Sequence, residues 1–383
     1  MNEIQLFLQT KQEEMLETLR VLVEYESPSS SKPLNDTIGR HIAQLFTELT
    51  GGTVEIIPSD KQGDNVRCEW GTGEGKPILL IGHFDTVWPE GELRTMPFRV
   101  EDGKAYGPGI YDMKAGLVQG IFALHALHTL GKQLNRRIVF LFNSDEEIGS
   151  PSSRELIERE AQQSELVLVL EPGPSIITFR KGIGIFKIKA TGRASHSGAA
   201  HAAGLSAIEE MARQVLYLHG LTDYEKGTTL NVGTIHGGTA FNVVAAQAEA
   251  EMDLRIESME EAERLLPLIQ GIEPHKAGVS LEVTGGLNRP PMVRTERNVQ
   301  LYERVKQLAH DSFQLELAER RAGGFSDANL TSAFAPTIDG LGAVGGGAHA
   351  IDEHIVIAEM PIRSALLSML IESLCANPIR FES

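Results

Sequence analysis

The sequence predicts an α/β protein interrupted by an inserted α+β module. Three observations predict it. Short apolar runs alternate with helix-patterned segments through the first part of the chain, the pattern of a layered α/β architecture. Between residues 182 and 288 the order becomes β-α-β-β-α-β, which is the ferredoxin-like order. From Arg289 onward the α/β character returns, so a core interrupted by an insertion accounts for the whole order.

Taken along the chain, MNEIQLFLQTKQEEMLETLRVLVEY reads as one amphipathic helix. It lacks the positive start and continuous apolar core of a secretory leader. PILLIGH, RRIVFLFNS and ELVLVLEP are apolar runs of the kind buried on both faces of a parallel sheet. MKAGLVQGIFALHALHTLG is apolar at helical spacing and stops at Gly131, a C-cap candidate. In the inserted stretch IGIFKIKATG alternates as a half-exposed strand, and GLSAIEEMARQVLYLHG is a helix. TTLNVGTIHGG and NVVAAQAEAEMDLRIES are two strands around a glycine-rich turn. SMEEAERLLPLIQGI opens at Ser258 with Glu261 three residues on, the capping-box spacing, and VSLEVTGG closes the module. Beyond it NVQLYERVKQLAHDSF is helical, GGFSDANLTSAFA is a loop entering a helix, and EMPIRSALLSMLIESLCA is a last amphipathic helix. The expected domains are 1–181 joined with 289–383, and 182–288.

Bulk properties exclude several function classes. A net charge of −17 disfavours nucleic acid or an anionic membrane as partner, since both need a basic surface. Two cysteines, Cys68 and Cys375, exclude a disulfide framework and a thiolate zinc site. No apolar run approaches a membrane span, and the expected setting is the cytoplasm.

Five short clusters carry candidate chemistry. In GHFDTV, His83 and Asp85 are two apart at a strand end. This is either a satisfied sheet-edge histidine beside a capping aspartate, or a metal ligand whose second ring N–H the aspartate accepts. In GPGIYDMKAGL, Asp112 is an N-cap, part of a weak dinucleotide-type glycine loop, or a ligand. In FLFNSDEEIGS, Asp145, Glu146 and Glu147 follow a buried strand, where carboxylates repel unless solvated or neutralised by a cation. LVLVLEPGPS places Glu171 at another strand end, and GGGAHAIDEH places His349 in a glycine setting. Jointly, His83, Asp112, Glu147, Glu171 and His349 suit two zinc ions sharing a bridging aspartate, with Glu146 beside them as general base.

GHFDTV, FRVEDGKAYGPGIYDMKAG, NSDEEIGS, LEPG, ASHSGAA and the late GGGAH resemble the M20 metallopeptidase family, in its glutamate carboxypeptidase (carboxypeptidase G2-like) branch. The likeness runs through nearly the whole chain, in order. It implies a zinc-exopeptidase-like mixed sheet flanked by helices, with the inserted module acting as lid and dimerisation domain. It implies two Zn2+ per subunit, with Co2+ or Mn2+ as substitutes: His83 and Glu171 on one, Glu147 and His349 on the other. Asp112 would bridge them and be followed by a cis peptide. The catalytic set it implies is Glu146 as base, Asp85 behind His83, and His196 stabilising the oxyanion across a homodimer. Arg255 and Asn242 would bind a substrate carboxylate, with Arg289 and the loop Gly323 to Asn329 lining the same pocket. The lid would swing on hinges near Lys181 and Arg289.

Two departures stand out: His201-Ala-Ala where the family commonly has Pro and an acid after SHSGAA, and Ala115 where Gly is frequent. The expected activity is release of a C-terminal amino acid, glutamate foremost, from a small peptide or N-acyl substrate. The alternative is an aminoacylase, N-deacetylase or dipeptidase. A non-catalytic binding protein is disfavoured by the intact Glu146 and ligand set. A serine hydrolase is disfavoured because no G-x-S-x-G elbow occurs.

Overall fold

The computed structural model describes residues 2–379 and Phe381. The chain divides into two compact units: Met1–Phe179 with Arg294–Ala322 and Ser326–Ser383, and Arg180–Val293 with the short segment Gly323–Phe325.

The first unit is built on a six-stranded mixed sheet ordered Thr53–Ile57, Asn65–Trp70, Ile138–Asn143, Ile78–His83, Leu166–Val169, Thr337–Ile338. The last four strands run parallel; the first two pair antiparallel at one edge. Every residue of Ile78–His83, Ile138–Asn143 and Leu166–Val169 is buried. That is why those segments read as unbroken apolar runs. Their burial supplies about 1.5–3 kcal/mol for each large aliphatic side chain. Helix Ala115–Thr129 lies against this sheet at a distance two glycines permit. A Cβ on Gly116 would stand 2.3 Å from the Leu170 carbonyl oxygen, and one on Gly82 would stand 2.6 Å from Met113 Cε and Leu117 Cδ2. In the parallel register His83 lies opposite Asn143 and Ile81 opposite Val169, so the C-terminal ends of these strands carry His83 and lead into the segments that hold Glu147 and Glu171.

A second sheet of the same unit, ordered Gly345–Gly346, His354–Val356, Lys104–Tyr106, Arg99–Glu101, joins residues some 250 apart in sequence. It brings the His349 loop beside the turn that holds Asp112.

Two element readings need correction. The N-terminal helix is two helices, Glu3–Thr10 and Gln12–Glu24, broken at Lys11, whose N–H turns back to the Leu8 carbonyl at 3.0 Å. No glycine or proline marks the break. The last helix, Glu359–Ala376, is not amphipathic. It is buried around most of its circumference, and Ser364 and Ser368 donate to the Gln119 and Ala123 carbonyls of the neighbouring helix. No helix among the described residues is long and apolar enough to cross a membrane.

The second unit is a four-stranded antiparallel sheet ordered Thr229–Gly237, Gln247–Ile256, Gly182–Thr191, Ser280–Arg289, with helices Ala207–His219 and Met259–Gln270. In module order the strands run 2-3-1-4, the ferredoxin-like arrangement. Alternate residues of the strands (Phe186, Ile188, Met252, Leu254) meet Met211, Leu218, Leu265 and Ile269 of the helices in one core. Ser206 and Ser258 cap the two helices through the amides of Glu209 and Glu261. The Glu261 carboxylate, however, accepts from Thr228 and Arg264. Gly323–Phe325 is held here too, because Arg180 Nη1 donates to the Gly324 and Phe325 carbonyls at 3.2 and 3.3 Å.

Candidate metal centre

His83 closes its strand fully buried. Its Nδ1 lies 3.0 Å from the backbone carbonyl oxygen of Asp85, which fixes the tautomer with Nε2 free to bind. The sequence suggested the Asp85 side chain for this partner. That carboxylate is 3.4 Å away and is engaged elsewhere, accepting from the amides of Glu146 (3.1 Å) and Glu147 (3.2 Å) and from Ser29 Oγ (2.6 Å). Asp85 thus orients the two glutamates, and reaches His83 through its main chain.

His83 Nε2 faces Asp112 Oδ1 at 3.3 Å, Glu171 Oε1 at 3.6 Å and Glu146 Oε2 at 4.0 Å. The other oxygen of Asp112 is 3.5 Å from His349 Nε2, which is itself 3.3 Å from Glu147 Oε2. Asp112 therefore stands between two imidazoles. It does not cap the following helix, whose N-terminal residues receive no side-chain cap, and the Asp112–Met113 peptide is cis. His349 adopts φ +61°, a left-handed conformation unusual for a non-glycine residue, in the tight glycine-bounded loop. Its side chain is half exposed, against 1% for His83.

Donor atoms of His83, Asp112 and Glu147 all lie within 4.8 Å of one another, as do those of His83, Glu146 and Glu171. Asp112 Oδ1 and Glu147 Oε1 are buried without a hydrogen-bond partner. Burial pushes Glu147 up, and burial with the Asp112 charge pushes Glu171 up to about 7. Burial would raise Asp112 too, yet the two imidazoles hold it well below the usual carboxylate range, while Asp112 and Glu147 lift His349 to about 10. So many acids in one buried place need compensating positive charge, and a divalent cation at the orphaned carboxylate oxygens beside the two imidazoles would supply it. A nitrogen and oxygen set without thiolate suits zinc, cobalt or manganese. Cys68 and Cys375 are buried elsewhere.

The remaining candidates lie in the second unit. His196 is exposed, and its Nδ1 accepts from the amides of Gly198 and Ala199, both at 3.1 Å, which leaves the proton on Nε2. Asn242 is exposed in the loop after Thr229–Gly237, its carbonyl bonded to the Ser197 amide. Arg255 is partly engaged: its Nε lies 2.9 and 3.1 Å from the two Asp253 oxygens, and its Nη1 is 3.4 Å from the Gly323 carbonyl oxygen. Arg289 is fully buried, its guanidinium 5.0 Å from the Phe325 ring centroid.

Sequence reasoning missed Ser29, for which no local signal exists, and Glu353. The latter is fully buried four residues past His349, and its carboxylate accepts from the amides of Gly109, Tyr111 and Asp112 and from the Trp88 indole.

Residues 79–373 match the model of Peptidase family M20/M25/M40. Carboxypeptidase G2 of Pseudomonas sp. (strain RS-16) is 33% identical over 82% of this chain and 78% of its own. The chain belongs to the M20 family. Acetylornithine deacetylase of Proteus mirabilis is 30% identical over 63% of this chain and 66% of its own. Among solved structures, an M20 family metallo-carboxypeptidase from Sulfolobus solfataricus has a TM-score of 0.76 at 18% identity, covering 94% of this chain and 98% of its own. A dinuclear metal-binding M20 peptidase from Bacillus subtilis has a TM-score of 0.71 at 16% identity, covering 96% and 99%. These two share the fold. The M20 chain described here is a hydrolytic enzyme, and its candidate metal centre sits at the strand ends of its first unit.

Proposed function

We propose that this M20 hydrolase is a di-zinc carboxypeptidase that cleaves the amide bond of a C-terminal amino acid, glutamate foremost, in small peptidyl or N-acyl substrates. The observation carrying this reading is the position of Asp112 between His83 and His349, with Glu171 and Glu147 completing two sets of donors. The carboxypeptidase choice draws on the 33% identity to carboxypeptidase G2.

His83 and Glu171 would hold one zinc, Glu147 and His349 the other, and Asp112 both. Bound there, the cations supply acidification of water and polarisation of the scissile carbonyl. Glu146 takes the proton of the attacking water on its carboxylate and returns it to the leaving nitrogen. Asp85 holds the amides of Glu146 and Glu147 so that neither glutamate drifts. His196 offers its Nε2 proton to the oxygen that gains charge. Arg289 and Asn242 are the proposed carboxylate contacts. Arg255 would join them through its terminal guanidinium nitrogens, its Nε being held by Asp253.

Similarity to acetylornithine deacetylase supports a second reading, an N-deacylase acting on a free amino acid derivative. Zinc-loaded protein offered N-acyl-glutamates, N-acetyl amino acids and dipeptides separates the two. Absence of preference for a C-terminal acidic residue removes the glutamate assignment.

A homodimer through the second unit is also proposed. Strand Thr229–Gly237 is a sheet edge with most residues exposed, Ile235 on it is 50% exposed, and Leu216 and Tyr217 of helix Ala207–His219 are 77% and 40% exposed.

A further inference from the structure

Glu353 is a fully buried acid beside the candidate centre that the mechanism leaves unused. Its Oε1 accepts from the amides of Tyr111 (2.9 Å) and Asp112 (3.0 Å). Its Oε2 accepts from the amide of Gly109 (3.0 Å) and from Trp88 Nε1 (2.8 Å). A carboxylate filled by four N–H donors is fixed in two dimensions, and here it fixes the backbone of the turn that presents Asp112. The residue also belongs to the other side of the site. It ends the loop that begins at Gly347, where the Ala350 amide bonds to the Gly347 carbonyl and the Glu353 amide to the Ala350 carbonyl. His349 lies within that loop. One side chain therefore sets the spacing between Asp112 and His349. His83 ends one strand of the main sheet, and Glu171 lies two residues past the end of another.

We infer that Glu353 is a positioning residue that couples the bridging aspartate to the His349 loop, so that the cation held by Glu147 and His349 depends on it more than the one held by His83 and Glu171. The inference rests on the di-metal reading above. A glutamine at 353 keeps the shape but turns an NH2 group toward two N–H donors that now lack an acceptor.

The test is a zinc titration of chelator-stripped full-length protein against a chromophoric chelator, for the unmodified chain and Glu353→Gln. Cobalt absorption spectra and steady-state kinetics accompany it. The unmodified chain is expected to take two equivalents. Glu353→Gln is expected to take one at nearly unchanged affinity and the second about 10–100-fold more weakly. Half of the cobalt spectrum should change, and kcat should fall more than KM rises. Two unchanged affinities in a variant with the unmodified circular dichroism would overturn the inference. Fewer than two equivalents in the unmodified chain would sink the di-metal reading first, and this inference with it. Should Glu353→Gln not fold, Trp88→Phe removes one donor of the four. A several-fold weaker second equivalent then supports the coupling, and an unchanged one refutes it.

Discussion

At the scale of single residues, the chemistry rests on carboxylates whose neighbours were only partly readable. Replacing Glu146 by Gln is expected to lower kcat by about 10²–10⁴-fold, the usual reach of a general base. Metal analysis should show two equivalents retained; a variant that loses metal instead would recast Glu146 as a ligand, a role its 4.0 Å distance to His83 Nε2 leaves geometrically open. Asp85→Ala leaves the buried Glu146 amide and the half-buried Glu147 amide without their acceptor. The expected cost is about 1–3 kcal/mol of stability, read from denaturant midpoints. His83, Glu147 and Glu171 stood out in the sequence because carboxylates and imidazoles at the ends of apolar runs are conspicuous, and His349 because it sits in a glycine-rich stretch. The true use of Asp85 did not, since whether a carboxylate or its own carbonyl meets an imidazole depends on the backbone path through Phe84. Away from the site, Arg264 holds Glu261 down to about 2, with Thr228 and Lys226 helping against its burial. Its folded pKa lies below that of a free glutamate, so this contribution is present above about pH 4.5 and disappears as pH falls toward 2. The stability difference between the parent and Glu261→Gln should therefore narrow across that window, and less steeply in high salt.

At the scale of elements, the strands were legible and the helix boundaries less so. Apolar runs such as Ile78–His83 announce themselves because both faces are covered, and Ser258 announced its helix by capping chemistry, whereas the cap at Ser206 emerged only in the structure. The burial of Glu359–Ala376 comes from tertiary contacts, which outweigh local pattern, and the break at Lys11 carries no glycine or proline to signal it. Nothing local to residues 104–106 or 354–356 reveals that they pair, because the partners are too far apart in sequence for a pattern to link them. The helix Ala115–Thr129 offers a test of close approach. Gly116→Ala forces a Cβ against the Leu170 carbonyl, one residue before Glu171. A loss of about 1–3 kcal/mol is expected, seen as a lower melting temperature. An unchanged melting temperature would mean the helix can shift outward freely. Ser206→Ala should cost about 1 kcal/mol through its lost cap.

At the scale of the whole molecule, metal and folding should be linked. Buried acids that repel in the stripped protein are neutralised when cations bind, so zinc at a hundredfold above its dissociation constant should add about 2.7 kcal/mol per site. Calorimetry with and without chelator checks this; coincident melting curves would exclude a centre formed only in the folded state. Sedimentation at micromolar concentration tests the dimer, and a monomer throughout would dismiss it. The second unit carries one more consequence. Its sheet and helices come from a continuous stretch, but the Phe325 ring beneath Arg289 and Arg255, and the carbonyls that Arg180 grips, arrive from much later in the chain. Anyone excising Arg180–Val293 for grafting or crystallography would strip Arg289 and Arg255 of the half-buried Phe325 ring and Arg180 of two carbonyl acceptors. The borrowed tripeptide has to travel with the transplant, spliced on by a linker.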